Sequence, residues 1–195
     1  MSNSKFEILP LLGEVALVIK DGMNIEAFVE TGTLAGYTAR WAKKHFKRVY
    51  TIEKDVNAWR EASNNDANIG INFINDDSRV RLANVLDMAD PLTKGVLIYL
   101  DAHFVGSNPD DECPLREELK AIVADKAQHC IIINDAYWFI HELPFAVQHL
   151  DQWPDYKEIK TILKGYKTLY IGSLDVIVVV PAMEWRLLKK IEKLI

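Results

Sequence analysis

The chain has 195 residues, 49% of them hydrophobic, which is enough for one well-buried core and few for two. A formal net charge of -5, a pI near 5.6 and scattered basic residues argue against nucleic acid as an obligatory partner. No apolar run approaches the roughly 20 residues that span a bilayer, and two cysteines, Cys113 and Cys130, make neither a disulfide framework nor a zinc site.

The first residues lack a basic n-region, and Pro10, Gly13 and Glu14 interrupt their apolar stretch. No signal peptide is expected, and the chain reads as cytoplasmic. Residues 1–22 read as an N-terminal helical segment, with the helix itself over about 10–20. A first strand is expected near 25–30, a turn over 31–36, a helix over 36–46 and a second strand over 48–53. Lys43, Lys44, Lys47 and Arg48 close that helix as a solvated, dipole-stabilised last turn.

Asp55 fits an N-cap, a third strand covers 70–75, and Ser78 opens a helix to about 88. The run Val96-Leu97-Ile98-Tyr99-Leu100 is nearly all apolar, as a strand buried on both faces should be. A polar insertion at 104–113, a candidate substrate loop, precedes Pro114, which suits the first turn of a helix to about 126. Cys113 in that insertion reads as a neutral or reactive thiol, and Cys130 as a buried one. A fifth strand runs over 130–133. Strands at 167–171 and 176–180 flank Gly172-Ser173-Leu174-Asp175 as an antiparallel hairpin, and the tail from 183 has helical period. Trp153-Pro154-Asp155-Tyr156 reads as a packed connection. Strands alternating with helices, without a repeat or linker, predict one α/β domain over 1–195: a doubly wound, mostly parallel, Rossmann-like sheet.

Polar groups stand at four strand ends: Glu30, Glu53, Asp101 and Asn134-Asp135. In a doubly wound sheet these ends share one edge, where ligands bind. Each alone is explained by capping or solvation; the set points to a site.

The segment Glu30-Thr31-Gly32-Thr33-Leu34-Ala35-Gly36-Tyr37-Thr38 resembles the first motif of class I S-adenosylmethionine-dependent methyltransferases. Its nearest variant is E-x-G-x-x-x-G-Y-[ST] of the metal-dependent O-methyltransferases of catechol, caffeoyl-CoA and antibiotic-sugar type. Val49-Tyr50-Thr51-Ile52-Glu53 resembles the second motif, Asp77-Ser78 the third-strand loop, Tyr99-Leu100-Asp101-Ala102-His103 the fourth-strand D-x-D or D-x-H, and Ile132-Ile133-Asn134-Asp135-Ala136-Tyr137 the fifth-strand I-I-D-D-x-Y.

The resemblance implies methyl transfer from S-adenosylmethionine to a small-molecule hydroxyl, sugar or phenol-like. It implies cofactor contacts from Glu30, Gly32, Thr33, Gly36, Tyr37, Thr38, Glu53, Lys54, Asp77, Ser78 and Asp101, and Mg²⁺ on Asp101, Asn134 and Asp135. Asn134 departs from the acid of the sugar enzymes and removes one charge. His103, with Asp101 the expected catalytic pair, is open to three roles: general base, metal ligand or loop histidine bonded to backbone. Phe104 replaces the lysine base of catechol-type enzymes.

Tyr137, Trp138, Phe139 and His141 wall the acceptor pocket or belong to the core. The run Cys113-Pro114-Leu115 with Glu117, Glu118 and Leu119 resembles a C-P-L-x-x-E-L stretch of bacterial and phage-borne members and reads as helix packing. Other readings stay open: a cofactor-binding module without transfer, a protein or nucleic-acid methyltransferase, and an NAD-dependent oxidoreductase, whose G-x-G-x-x-G fingerprint this turn lacks by one glycine. Neither a nucleic-acid nor a membrane partner is expected. Oligomeric state is open, homo-oligomer included.

Overall fold

The computed structural model describes residues 10–64, 69–90, 94–103, 112–143 and 147–195. Helix α1 (Pro10–Met23) starts at a proline and buries Leu12, Val15, Ala16 and Ile19, the i, i+3, i+4, i+7 stripe of an amphipathic helix. It stops before Asn24, which takes a left-handed φ of 54°. There follow β1 (Ala27–Thr31), α2 (Tyr37–Lys43), β2 (Arg48–Glu53), α3 (Val56–Ser63), β3 (Ile71–Asn75), α4 (Ser78–Ala89), β4 (Leu97–Leu100), α5 (Leu115–Ala124) and β5 (Cys130–Asn134). A single turn α6 (Tyr137–Ile140), then α7 (Tyr156–Ile162), lead to β6 (Tyr166–Ile171), β7 (Val176–Pro181) and α8 (Trp185–Glu192).

The seven strands are ordered β3-β2-β1-β4-β5-β7-β6. The first five are parallel; β7 runs antiparallel to both β5 and β6, closing the sheet as the expected hairpin. Strands β1, β4 and β5 are buried at every position, which is why they read as continuous apolar runs.

Period-two alternation splits the core. Phe28, Leu97, Tyr99 and Ile132 face α1, α2 and α8, whereas Val29, Ile98, Leu100 and Ile131 face α4, α5 and α7. Each large aliphatic side chain so buried contributes roughly 1.5–3 kcal/mol. The chain moves outward from β1 to β3 and returns to lay β4 beside β1, so the order reverses over the β1–β4 gap. That is the position at which an open α/β sheet leaves a crevice.

Asp55 caps α3 as expected, and Asp77, expected only in the loop, caps α4; both accept backbone N–H groups. Helix α7 is the main departure from the sequence reading, which had only a connection there. Asp155 caps it through Glu158 N at 2.7 Å. The expected tail helix begins with a 3₁₀ turn, Ala182–Glu184. Of the 104–113 insertion, residues 104–111, Phe104 included, lie outside the described residues, as do residues 1–9 of the 1–22 segment. Cys113 lies in the segment before α5 but is 2% exposed, and burial pushes its thiol well above the usual range, which favours the neutral thiol of the two expected readings. Cys130 is buried as expected, its thiol pushed up to about 12 by burial. No helix among the described residues is long and apolar enough to cross a membrane.

Candidate active site

A cleft of about 870 Å³ opens over the carboxyl ends of β1, β2 and β4, within the size range of small-molecule sites. Of the expected cofactor residues, Gly32, Glu53, Lys54, Asp77, Ser78 and Asp101 line it, together with His103. A second hollow, about 520 Å³ between α4 and α5, has Asp87, Asp90 and Asp125 on its wall but lies away from those strand ends.

The β1 turn fixes the near wall. Gly32 has φ 82°, and a Cβ there would lie 2.3 Å from the carbonyl oxygen of Asp101, so only glycine lets β1 and β4 end side by side. Leu34 follows with φ 45°, a conformation disfavoured for a side-chain-bearing residue. Its N–H donates to Glu53 Oε2 at 2.9 Å, while Asp55 N–H donates to Oε1 at 2.9 Å. Glu53 therefore holds both the β1 turn and the start of α3, and each of its oxygens keeps a further lone pair. Gly36, φ 71°, caps α2, within which Arg40 lies over the Tyr37 ring.

Glu30 lies behind this wall. It shares the face of Phe28 and Tyr99 and is 2% exposed. Thr51 Oγ1 donates to Glu30 Oε2 at 2.7 Å, and Thr51 is itself hydrogen-bonded to Thr33. Burial pushes the Glu30 carboxyl up to about 8, against the Thr51 and Thr38 hydroxyls, which favour the charged form. Glu30, Thr33 and Thr38 thus form a polar seam beneath the turn, while Glu53 meets the cleft directly.

On the far side of the cleft, Asp77 receives Arg79 in a fork, Nε at 3.0 Å and Nη2 at 2.6 Å, and Lys54 Nζ at 3.1 Å. The Arg79 hydrogen bond holds its carboxyl well below the usual range.

At the β4 and β5 tips, Asn134 Nδ2 donates to Asp101 Oδ1 at 2.7 Å, and His103 Nε2 lies 3.2 Å from Asp135 Oδ2. Asp135 has a left-handed φ of 47°, which turns the chain sharply after β5. One ligating atom each from Asp101, His103 and Asp135 lie within 4.8 Å of one another. That group differs from the expected metal set: it has His103 in it, and Asn134 turns its amide nitrogen to Asp101. Two carboxylates and an imidazole are a reasonable donor set for a divalent cation.

His103 is boxed by Trp138, Phe139 and Trp153, ring centroids 5.9, 5.3 and 5.6 Å away. Trp153 is held in turn by Glu112, whose carboxylate accepts Trp153 Nε1 and the N–H groups of Gln148 and His149. Of the post-β5 aromatics, Phe139 is core, whereas Tyr137 is half exposed and stacks on His141.

Sequence reasoning missed Glu118 as a site neighbour. It is 1% exposed on α5, and burial pushes its carboxyl up. Glu118 Oε1 and Thr31 Oγ1 are both buried without a hydrogen-bond partner among the described residues.

No family model matches this sequence and no curated protein matches it. Solved structures are similar. CalS10, an S-adenosylmethionine-bound amino pentose methyltransferase from Micromonospora echinaspora involved in calicheamicin biosynthesis, covers 93% of this chain and is covered to 93% by it, with TM-score 0.62 and 12% identity. A Staphylococcus aureus protein assigned as a caffeoyl-CoA O-methyltransferase gives TM-score 0.56 at 16% identity, over 92% of this chain and 93% of that one. The O-methyltransferase TomG from Streptomyces achromogenes, in complex with S-adenosylmethionine, gives 0.54 at 11%, over 87% and 79%. The chain has the class I S-adenosylmethionine-dependent methyltransferase fold, with its C-terminal antiparallel pair.

Proposed function

We propose that the chain transfers the methyl group of S-adenosylmethionine to the hydroxyl of a small molecule. The observation that carries this reading is the cleft at the strand-order reversal, with Glu53 on one wall and Asp101 and His103 on the other. The residues fit the cofactor. Glu53 keeps lone pairs for two ribose hydroxyls, and Gly32 and Ser78 line the space between the turn and α4. The structural neighbours CalS10 and TomG, both described with the cofactor bound, support the same assignment.

The cofactor supplies a sulfonium carbon open to in-line displacement, leaving a neutral thioether. The protein's share is positioning and removal of the acceptor proton. His103 is the proton acceptor in this reading. Asp135, 3.2 Å from Nε2, fixes the ring, and the indole and phenyl walls hold it still. Asp101, held by Asn134, orients the acceptor oxygen.

The mutual approach of Asp101, His103 and Asp135 favours a second reading of the same site, in which the three hold Mg²⁺ or another divalent cation and His103 is a ligand instead of a base. Calorimetric titration with S-adenosylhomocysteine, then with Mg²⁺ on the loaded protein, separates the readings. Heat on the second titration supports the cation; its absence leaves His103 as base. An acceptor screen with labelled methyl donor follows, and failure to label any hydroxyl compound would point to a binding module without transfer.

A further inference from the structure

Residues 112–113, which lead into α5, and residues 148–153, which lead toward α7, are tied to each other by their side chains. Glu112 is 1% exposed, and a carboxylate so buried is costly unless its oxygens are bonded. Both are. Oε1 accepts Gln148 N–H at 2.8 Å, and Oε2 accepts His149 N–H and Trp153 Nε1–H, each at 3.1 Å. Gln152 closes the clasp from the other side: its Oε1 accepts the N–H groups of Glu112 at 2.7 Å and Cys113 at 3.3 Å. Arg116 Nη1 adds a bond to the carbonyl oxygen of Asp151 at 2.9 Å.

The 3₁₀ turn before Trp153, Leu150–Gln152, buries none of its residues, and Leu150 is 66% exposed. Polar bonds, not apolar packing, hold it. Trp153 itself is 6% exposed, with ring centroids 5.6 Å from His103, 5.5 Å from Trp138 and 5.6 Å from Phe139. The imidazole is shut in behind it: the His103 side chain is 2% exposed, against 30% for its partner Asp135. A phenyl ring would fill much of the same space, but only an indole brings an N–H for Glu112 to accept. The five bonds of Glu112 and Gln152 join two connections to each other, and what they hold in place is the wall of His103.

We propose that Glu112 is a positioning residue for His103: gripping Trp153 Nε1 and the backbone that leads to it, it presses the indole on the imidazole and keeps Nε2 on Asp135. It touches no reacting atom and acts through Trp153. Its use to the protein rests on the reading above, in which His103 is base or cation ligand, but the placement of the ring does not require the cofactor.

The test is modification of the metal-free full chain by diethyl pyrocarbonate, with the rate at each of its five histidines read by peptide mass spectrometry. Exposed His141 gives the unprotected rate, and His129, 0% exposed just before β5, reports general opening. In the wild type His103 should react about tenfold more slowly than His141, or slower still. Glu112→Ala should raise the His103 rate about tenfold, with His129 still protected and S-adenosylhomocysteine affinity within about threefold by calorimetry. Glu112→Gln keeps an oxygen for His149 and Trp153, so its His103 rate should stay within about threefold of wild type. Because Glu112 acts through Trp153, adding Glu112→Ala to Trp153→Ala should expose His103 no further than Trp153→Ala alone. Should Glu112→Ala fail to fold or open His129 as well, Trp153→Phe decides: it keeps a ring, loses the N–H and should raise the His103 rate about threefold or more. An unprotected wild-type His103, wild-type protection in the Glu112→Ala or Trp153→Phe variant, a Gln variant as open as Ala, or additive effects in the double variant overturns the proposal. A wild type that does not bind S-adenosylhomocysteine overturns the cofactor reading instead, and the histidine rates still judge this one.

Discussion

Two acids lie under the cleft on opposite faces of the sheet, and both are almost wholly buried: Glu30 at 2% and Glu118 at 1% exposure. Burial pushes both carboxyls up. Their surroundings differ. Glu30 belongs to a hydrogen-bonded seam with Thr51 and Thr33 that stitches β1, β2 and the turn, on the side of α1, α2 and α8. Glu118 lies on the α4 and α5 side, with one oxygen unbonded among the described residues. Burial alone therefore does not assign a role to an acid. Where the bonds close, the acid is framework; where they stay open, its burial costs stability. The boxed His103 lies on that second side too, packed on Phe139 and Trp153.

The largest expected effect probes the reactive side. His103→Ala should lower methyl transfer by roughly a hundredfold or more, with S-adenosylhomocysteine affinity within about threefold. Full turnover in that variant would remove His103 from the chemistry and weaken the division between the faces.

The framework side should answer in stability. Glu30→Ala removes the acceptor of the buried Thr51 hydroxyl, which keeps only Thr33, and opens a cavity, a loss of about 3 kcal/mol in urea unfolding. An unchanged midpoint would mean that the seam holds nothing together.

The same acid sharpens the comparison through pH. Glu30 stays protonated in the fold up to about 8 but ionises near 4.5 when unfolded, so between these values the unfolded state binds fewer protons. Stability contributed by this group is fully present below 4.5 and declines as pH rises to about 8, by up to about 1.4 kcal/mol per pH unit. Unfolding series from pH 5 to 8 should show Glu30→Gln flattening that decline. Equal slopes in the two proteins would place the ionisation elsewhere.

Smallest is Glu53→Ala, on the boundary. Losing the ribose acceptor and the anchor of Leu34 N–H should weaken S-adenosylhomocysteine by about tenfold in calorimetry. Unaltered affinity would take Glu53 out of the cofactor site.

Much of this was legible in the residues. Continuous apolar runs announced the central strands, and acids after those runs announced the edge where the cleft opens. Period two also carried a signal that went unread: Glu30 alternates with Val29 and Thr31, and so must share the face of Phe28, away from the residues that line the cleft. In the same way, Glu118 sits on the i, i+3, i+4, i+7 stripe of Leu115, Leu119 and Ile122, which marks it as buried before any coordinate is known. Helix α7 had its signal in Asp155 followed three residues later by Glu158, the pattern of a capped start. What could not be read is long-range: that Asn134 spends its amide on Asp101, that Asp77 is gripped by Arg79 and Lys54, and that Glu112 holds Trp153 against His103. These pairings depend on which loops meet above the sheet, and local spacing does not encode that.

A crystal structure of the chain with S-adenosylhomocysteine tests the central claim most directly. The account predicts the ribose hydroxyls on the Glu53 carboxylate, the base against Ser78 and the sulfur toward Asp101 and His103. A nucleoside lodged elsewhere, with Glu53 still bonded only to Leu34 and Asp55, would contradict it.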